Sequence, residues 1–313
     1  MNFNTEGTVS DVVERYINSS EFKKRITNNK TKVQYTYQLG RLNNTTLENG
    51  ELVGNIPIAK LNTAKCQQIY WSLVESVNSN ADGTRFANYT IQVATRAWNV
   101  LMKYDLLDKN PWSFVERAKV APRNTVWTSD HFKQFLKTAF SVSKWRNIGL
   151  LVRINVELGQ RIEDIRLSEW DNYNFTDKLY TREVIQKTKE RIPGIPISDN
   201  LIRMLVEQKE DYGFQKWVVP NPYKLKPYTE QSISRNFRNI MKEAELPESL
   251  QLRDIRRTVL TDLANHGATD TEIMAYSGHK SRASLIPYIC ISTHQARNAA
   301  DKRNFSMDDE EWT

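Results

Sequence analysis

The residues best suited to chemistry in this sequence are cationic and phenolic, and they lie in its second half. The stretch LQLRDIRRTVLTDLANHG (250–267) places Arg253, Arg256 and Arg257 within five positions. At spacings of three and four they share one side of a helix, with Leu252, Ile255, Val259 and Leu263 on the neighbouring side as its core face. Like charges so spaced cost an isolated helix roughly 0.2–0.5 kcal/mol per pair, so a bound anion is expected to offset them. Arg161 follows a Gly-containing turn in LGQRIEDIRLSEWDNY, with Asp164 three residues later to hold a neighbouring group. Lys187 stands in QKTKERIPGIPI, and SGHKSRASLIPYI supplies His279 and, nine residues on, Tyr288. His266, ahead of Gly267, reads as a helix-end residue, and His131 and His294 read as surface.

Other chemistries lack their residues. There is no G-x-x-x-x-G-K-[ST] run for a nucleoside triphosphate, no H-E-x-x-H for zinc and no G-x-S-x-G nucleophile elbow. The acidic residues do not cluster as a two-metal nuclease requires, so neither metal nor cofactor is expected. A chain of 313 residues can hold two domains, and 39% hydrophobic with 26% charged residues reads as soluble and globular. No apolar run approaches the roughly 20 residues that span a bilayer. The N-terminal MNFNTEGTVSDVVERY lacks the basic-then-apolar order of a signal peptide. Cys66 and Cys290 match no metal or redox spacing, so free thiols in a reducing compartment are expected. The net charge is +7. Residues 1–122 carry 15 Lys and Arg against 11 Asp and Glu, residues 123–300 carry 27 against 21, and the tail 301–313 carries 2 against 5. Two basic parts and a short acidic tail favour a polyanionic partner, nucleic acid first.

Helices must position most of these groups. The N-terminal part reads as TVSDVVERYINSSEFKKR, capped at Ser10 or Asp11 with Val12, Val13, Tyr16 and Ile17 inward, then KTKVQYTYQLGRL, TAKCQQIYWSLVESV and ANYTIQVATRAWNVLMKYDLL. Asn110-Pro111 stops the last of these, and residues 43–55 are turn-rich around Asn49-Gly50. Aromatic and basic residues interleave here (Tyr35, Tyr37, Arg41, Tyr70, Trp71, Arg96, Trp98), and helical spacing assigns most of the aromatics to the core. AKVAPRNTVWTSDHF reads as a linker into a helix capped near Ser129 or Asp130, which puts a domain boundary at 118–126. Helices dominate again after it. One alternating interval, LYTREVIQKTKERIPGIPIS (179–198), reads as a hairpin whose basic tip carries Lys187 and Lys189. The expected fold class is mainly α (α+β): a helical N-terminal domain, then a mixed α/β domain with a small antiparallel sheet.

Taken in order, these boxes resemble those of the tyrosine recombinases, the phage-integrase family of site-specific DNA recombinases. ELGQRIEDIRLSEWDN is similar to the first arginine box, in which Gly-x-Arg precedes an acidic residue and then Leu-x-Trp-x-Asp. QKTKER resembles the hairpin Lys-Thr-Gly-Lys, and LRDIRRT resembles His-x-Leu-Arg-[His/Arg]-Thr. SGHKS with Tyr288 resembles the Leu-Gly-His-x-Ser box and its tyrosine nine residues on. ANYTIQVATRAWNVLMKYDLLDKNPW is like the last helix of the core-binding domain, ending in Lys-Asn-Pro. The conjunction is specific where each box alone is weak.

The resemblance implies a core-type DNA-binding domain over 1–120, a linker at 121–126, a catalytic domain over 127–290 and a tail at 291–313. That tail, with Phe305 and Trp312 among acidic residues, either docks onto a neighbouring subunit or stays disordered. The segment before residue 8 is expected to be too short for an arm-binding domain, which would place the chain among two-domain members. The implied reaction is transesterification at a DNA phosphodiester. Tyr288 is the nucleophile, Arg161 and Arg256 bind the phosphate, and Lys187 protonates the leaving 5′-oxygen, with Lys189 its competitor. His279 hydrogen-bonds the phosphate or moves a proton, and Asp164 supports the site in place of the usual glutamate. Arg253 stands where the family most often has histidine. Arginine stays protonated and is no general base, so Arg253 would contribute charge and a hydrogen bond. Arg257, Lys189 and Arg96 are expected at DNA, with Arg257 touching either backbone phosphate or a carboxylate. The implied partners are double-stranded DNA with specific recombination sites, three further copies in a homo-tetramer, and accessory bending or directionality proteins, with no membrane. The expected location is the cytoplasm of a bacterial host, at the nucleoid. Integration or excision of a phage or other mobile element is the leading role. Resolution of chromosome dimers, a non-catalytic DNA-binding protein of the same fold, and a type IB topoisomerase-like enzyme are the alternatives.

Overall fold

The structure is a computed structural model that describes residues 6–77, 83–121, 123–181 and 194–302. It divides into two compact units, Met1–Ala121 and Pro122–Thr313. The first unit is helical: α1 (Val9–Asn18), α2 (Asn29–Asn43), α3 (Thr63–Glu75) and α4 (Gly83–Met102). Val9, Val12, Val13 and Tyr16 of α1 are buried, the stripe that its spacing requires. The cap is Thr8, earlier than expected, because Asp11 serves as the third residue of a reciprocal capping box. Gly83 lets α4 start against α3, since a Cβ there would stand 2.1 Å from the Val74 carbonyl oxygen. α4 ends at Met102, before Asn110-Pro111, and the chain reverses through Asp105 at φ +53°. Asn110 then caps the short turn Pro111–Phe114 and donates to the Thr95 carbonyl at 2.9 Å. That turn seats Trp112 edge-on against Trp98, with ring centroids 5.5 Å apart and both rings buried.

The second unit begins with α5 (Ser129–Ser141) and α6 (Arg146–Leu158), followed by the single turn α7 (Ile162–Arg166). Thr128 caps α5, and His131, expected as a plain surface residue, closes that capping box by accepting from the Thr128 N–H at 3.2 Å. α6 is buried on most sides and runs through the core. β1 (Tyr173–Asn174), β2 (Leu179–Tyr180) and β3 (Ile195–Pro196) form an antiparallel sheet, with Tyr173 opposite Tyr180 and Tyr180 opposite Ile195. β2 and β3 are the arms of the expected hairpin, whose tip with Lys187 and Lys189 lies outside the described residues. α8 (Asp199–Tyr212) follows, then a ribbon of β4 (Pro220–Asn221) and β5 (Lys226–Pro227) that the sequence did not announce. Proline in each strand speaks against a sheet, and here both stand in a two-residue edge pair. The remaining elements are α9 (Glu230–Glu243), α10 (Asp254–Asn265), α11 (Asp270–Ser277), α12 (Arg282–Leu285) and α13 (Thr293–Asp301). The architecture is mainly α with a small antiparallel sheet, as the sequence led us to expect. Among the described residues no helix is long and apolar enough to cross a membrane, and Cys66 and Cys290 are both free.

Candidate active site

Two helix ends and one helix start build the site. α6 stops at Gly159, whose left-handed conformation (φ +58°) frees its own N–H to bond the Asn155 carbonyl. A side chain there is also excluded by α10, since a Cβ would stand 2.8 Å from Val259 Cγ1. Gln160 pins the turn by donating from Nε2 to the Leu158 and Tyr276 carbonyls, both at 2.8 Å. Arg161 follows as the cap residue of α7, half-buried, and its carbonyl accepts from the Asp164 N–H at 2.9 Å. α11 ends in the same way at Gly278 (φ +70°) and delivers His279.

Arg256 joins these ends. It is only 3% exposed, donating from Nη1 to the Gly159 carbonyl at 3.1 Å and from Nη2 to the Ser277 carbonyl at 2.9 Å. The cation thus faces the C-terminal ends of α6 and α11, where unpaired carbonyls and helix dipoles favour it. Nη2 also lies 3.3 and 3.2 Å from the two ring nitrogens of His279. Ser277 Oγ donates to the Ile273 carbonyl at 2.6 Å and lies 2.7 Å from His279 Nδ1. With its proton so committed, Ser277 accepts from Nδ1–H, which assigns Nε2 as the unprotonated nitrogen. Burial, then the charges of Arg256 and Arg161, push the pKa of His279 down to about 4, so the imidazole is neutral at pH 7. Tyr288 completes the cluster from the turn Ile286–Tyr288. Its ring centroid is 5.0 Å from that of His279 and 5.5 Å from Arg256 Cζ.

Arg256, His279 and Tyr288 are therefore brought together, with the Arg161 charge within electrostatic reach of His279. Arg253 departs from the one-sided arginine face expected from spacing. α10 starts only at Asp254, so Arg253 lies in the entry turn, exposed, while Arg256 is buried among the core residues. Arg257 meets a carboxylate, donating from Nη1 to Asp254 at 3.2 Å, and reaches the Pro287 carbonyl at 3.5 Å. Asp164 is half-buried on α7. Arg96, in the first unit, donates to Tyr16 Oη at 3.3 Å and lines a cavity of about 430 Å³ with Arg25 and Lys103. Lys187 and Lys189 lie outside the described residues.

Asp254 escaped the sequence reading. It is wholly buried and accepts Arg123 in a fork, Nε at 2.8 Å and Nη2 at 2.7 Å, together with Arg257 and the Gln251 N–H. The carboxylate raises the Arg123 pKa still further. An acid inside an arginine run, with one more arginine in the preceding linker, was the available signal.

Residues 126–294 match the phage integrase family. Among curated proteins no sequence matches. Among solved structures, the fold is similar to a lambda integrase dimer bound to a COC′ core site, with TM-score 0.73 and 17% identity over 98% of this chain and 82% of that one. It is similar also to a lambda integrase tetramer bound to a Holliday junction (TM-score 0.73, 17% identity, 92% and 79% covered). A third likeness is to the Tn1549 transposon integrase in complex with circular intermediate DNA (TM-score 0.72, 15% identity, 95% and 99% covered).

Proposed function

This chain belongs to the phage integrase family, and from that premise we propose that it cleaves and rejoins duplex DNA at specific sites through a 3′-phosphotyrosine intermediate. The observation that carries this reading is the convergence of Arg256, His279 and Tyr288 around the two glycine-ended helices. In the cleavage step Tyr288 Oη bonds to phosphorus, the bond from phosphorus to the 5′-oxygen breaks, and the phenolic proton leaves. The 5′-oxygen takes up a proton, which the hairpin motif assigns to Lys187. A second strand's 5′-hydroxyl then reverses the step on the new partner. The phosphotyrosine conserves the bond energy, so no nucleotide is consumed.

Negative charge builds on the non-bridging oxygens, and preorganised guanidinium groups stabilise it. Arg256 is preorganised by the Gly159 and Ser277 carbonyls, and Arg161 enters from the same turn as Gly159. The proton of Tyr288 needs an acceptor that Arg253 cannot be. Neutral His279, held between Ser277 and Arg256, hydrogen-bonds the phosphate or assists proton movement, and exposed Arg253 adds charge at the phosphate. Arg96 and the other basic groups of the first unit contact the DNA backbone. Assembly as a tetramer on two sites, accessory proteins, and integration or excision of a mobile element follow from the family reading.

Incubation with nicked suicide duplexes tests it. Wild-type protein accumulates a covalent protein–DNA adduct, and Tyr288→Phe gives none. An adduct that persists in Tyr288→Phe would remove Tyr288 as nucleophile.

A further inference from the structure

One face of α10 carries polar residues at four-residue intervals: Arg257, Thr261 and Asn265. Each is bonded to the segment that bears Tyr288 or follows it. Arg257 reaches the Pro287 carbonyl. Thr261 Oγ1 donates to the Tyr288 carbonyl at 3.3 Å and accepts from the Cys290 N–H at 3.1 Å. Asn265 Oδ1 accepts from Ser292 Oγ at 2.7 Å, and its carbonyl accepts from Asn298 Nδ2. α13 is therefore tied to this chain's own α10.

Thr261 is the centre of this set. A threonine inside a helix commonly turns its hydroxyl back to the carbonyl four residues earlier. Thr258 does so, bonding the Asp254 carbonyl at 2.9 Å. Thr261 is 7% exposed, and its hydroxyl turns away from its own helix, with donor and acceptor both used on the backbone just after the Tyr288 side chain. Arg256 stands five residues before it on the same rigid helix. We propose that Thr261 is a positioning residue, whose hydroxyl clamps the backbone immediately after the Tyr288 side chain, between its carbonyl and the Cys290 N–H, and so fixes the phenol in register with Arg256. Arg257 and Asn265 hold the same segment one turn to either side. The inference rests on the reading of Tyr288 as nucleophile.

The test compares Thr261→Val, which keeps the shape and loses the hydroxyl, with Thr261→Ser, which keeps the hydroxyl. Displacement of a reacting group by about 1 Å costs on the order of 100-fold in rate. Thr261→Val is therefore expected to slow single-turnover adduct formation by about 10- to 100-fold, with DNA affinity unchanged, and Thr261→Ser to stay within about threefold of wild type. A second arm removes the tyrosine. In a Tyr288→Phe background, hydrogen peroxide is supplied as a small nucleophile that attacks phosphorus without needing the phenol's placement. Strand cleavage by peroxide should be the same with Thr261 or Val at this position, because the arginine pocket is intact. Equal adduct rates for wild type and Thr261→Val would overturn the proposal, as would equal loss in the tyrosine and peroxide reactions. A Thr261→Val protein too unstable to bind DNA would also overturn it, by showing that the hydroxyl serves folding instead. Failure of the wild type to form any adduct would instead sink the nucleophile assignment itself.

Discussion

α6 and α11 end alike and deliver their next residues differently. Each stops in a left-handed glycine, Gly159 or Gly278, and each offers a terminal carbonyl to Arg256. Beyond Gly159 the chain releases Arg161 half-buried, and no described residue hydrogen-bonds its guanidinium. Beyond Gly278 it holds His279 at 7% exposure between Ser277, Arg256 and Tyr288. The same backbone device thus leaves one side chain half-buried with no hydrogen bond from a described residue and commits another to the protein. What separates them is the neighbour: a hydroxyl at Ser277 fixes the imidazole, whereas Gln160 spends its amide on main-chain carbonyls.

Arg256 is the element common to both ends, so its removal breaks the comparison most severely. Arg256→Ala leaves the Gly159 and Ser277 carbonyls without their charged donor. Hydrogen bonds to a charged group contribute about 1.5–3 kcal/mol each, so urea unfolding should show a loss of about 3 kcal/mol. Adduct formation on suicide DNA should fall by roughly 1,000-fold, the scale of removing a preorganised donor to a developing oxyanion. Arg256→Lys keeps the charge without the planar fork that spans two carbonyls, and should recover only part of either quantity. Stability within about 0.5 kcal/mol of wild type in Arg256→Ala, the range of ordinary surface changes, would show that the two ends hold without it.

The glycines sharpen the comparison at a smaller scale. A left-handed conformation costs a non-glycine residue about 1–2 kcal/mol, which both Gly159→Ala and Gly278→Ala incur. At Gly159 the new methyl also meets Val259, and overpacking adds about 1–3 kcal/mol. Gly159→Ala should therefore lose more in thermal or urea unfolding than the left-handed cost alone, about 2–5 kcal/mol in all. Val259→Ala in the same chain should return part of that excess, a coupling expected of groups in contact. A loss in Gly159→Ala no larger than the left-handed cost, or strict additivity with Val259→Ala, would remove α10 from the account of the first turn.

The legibility of these features in the sequence follows their range. Local signals read well: the turn at Asn49-Gly50, the hairpin arms around 179–198, and the inward face of α1. The caps stand one to three residues earlier than expected, at Thr8 and Thr128, because Ser10, Asp11, Ser129 and Asp130 belong to the first turns of their helices. The box order carried the grouping of Arg256, His279 and Tyr288, although no local rule places residues 256 and 279 side by side. Spacing alone put three arginines on one surface. It could not show that α10 begins at Asp254, that Arg256 turns inward to carbonyls 97 and 21 residues away, or that Asp254 takes Arg123 from the linker. Long-range hydrogen bonds to main-chain atoms leave no trace in residue type, and Thr261 is the extreme case.

The expected effect that reads the second helix end alone is a dependence on pH. His279 has its folded pKa pushed down to about 4 from the ordinary 6.5, by burial first and then by the two arginines. Between these values the unfolded chain binds a proton that the folded chain refuses, so stability increases with pH across that window. The contribution is complete above pH 6.5, is lost progressively as pH falls towards 4, and changes no further below it. Urea midpoints measured from pH 4 to 7 should therefore fall more steeply on acidification for wild type than for His279→Gln, which has no proton to bind. Arg161→Gln removes a positive charge near the imidazole without touching its bond to Ser277, so the histidine should titrate closer to its ordinary range in a proton NMR titration. The Arg256 charge ranks ahead of Arg161 among the causes, so Arg161→Gln should move it only part of the way. If instead the imidazole of the wild type titrates near 6.5, the second helix end is as open to solvent as the first, and the contrast between them disappears.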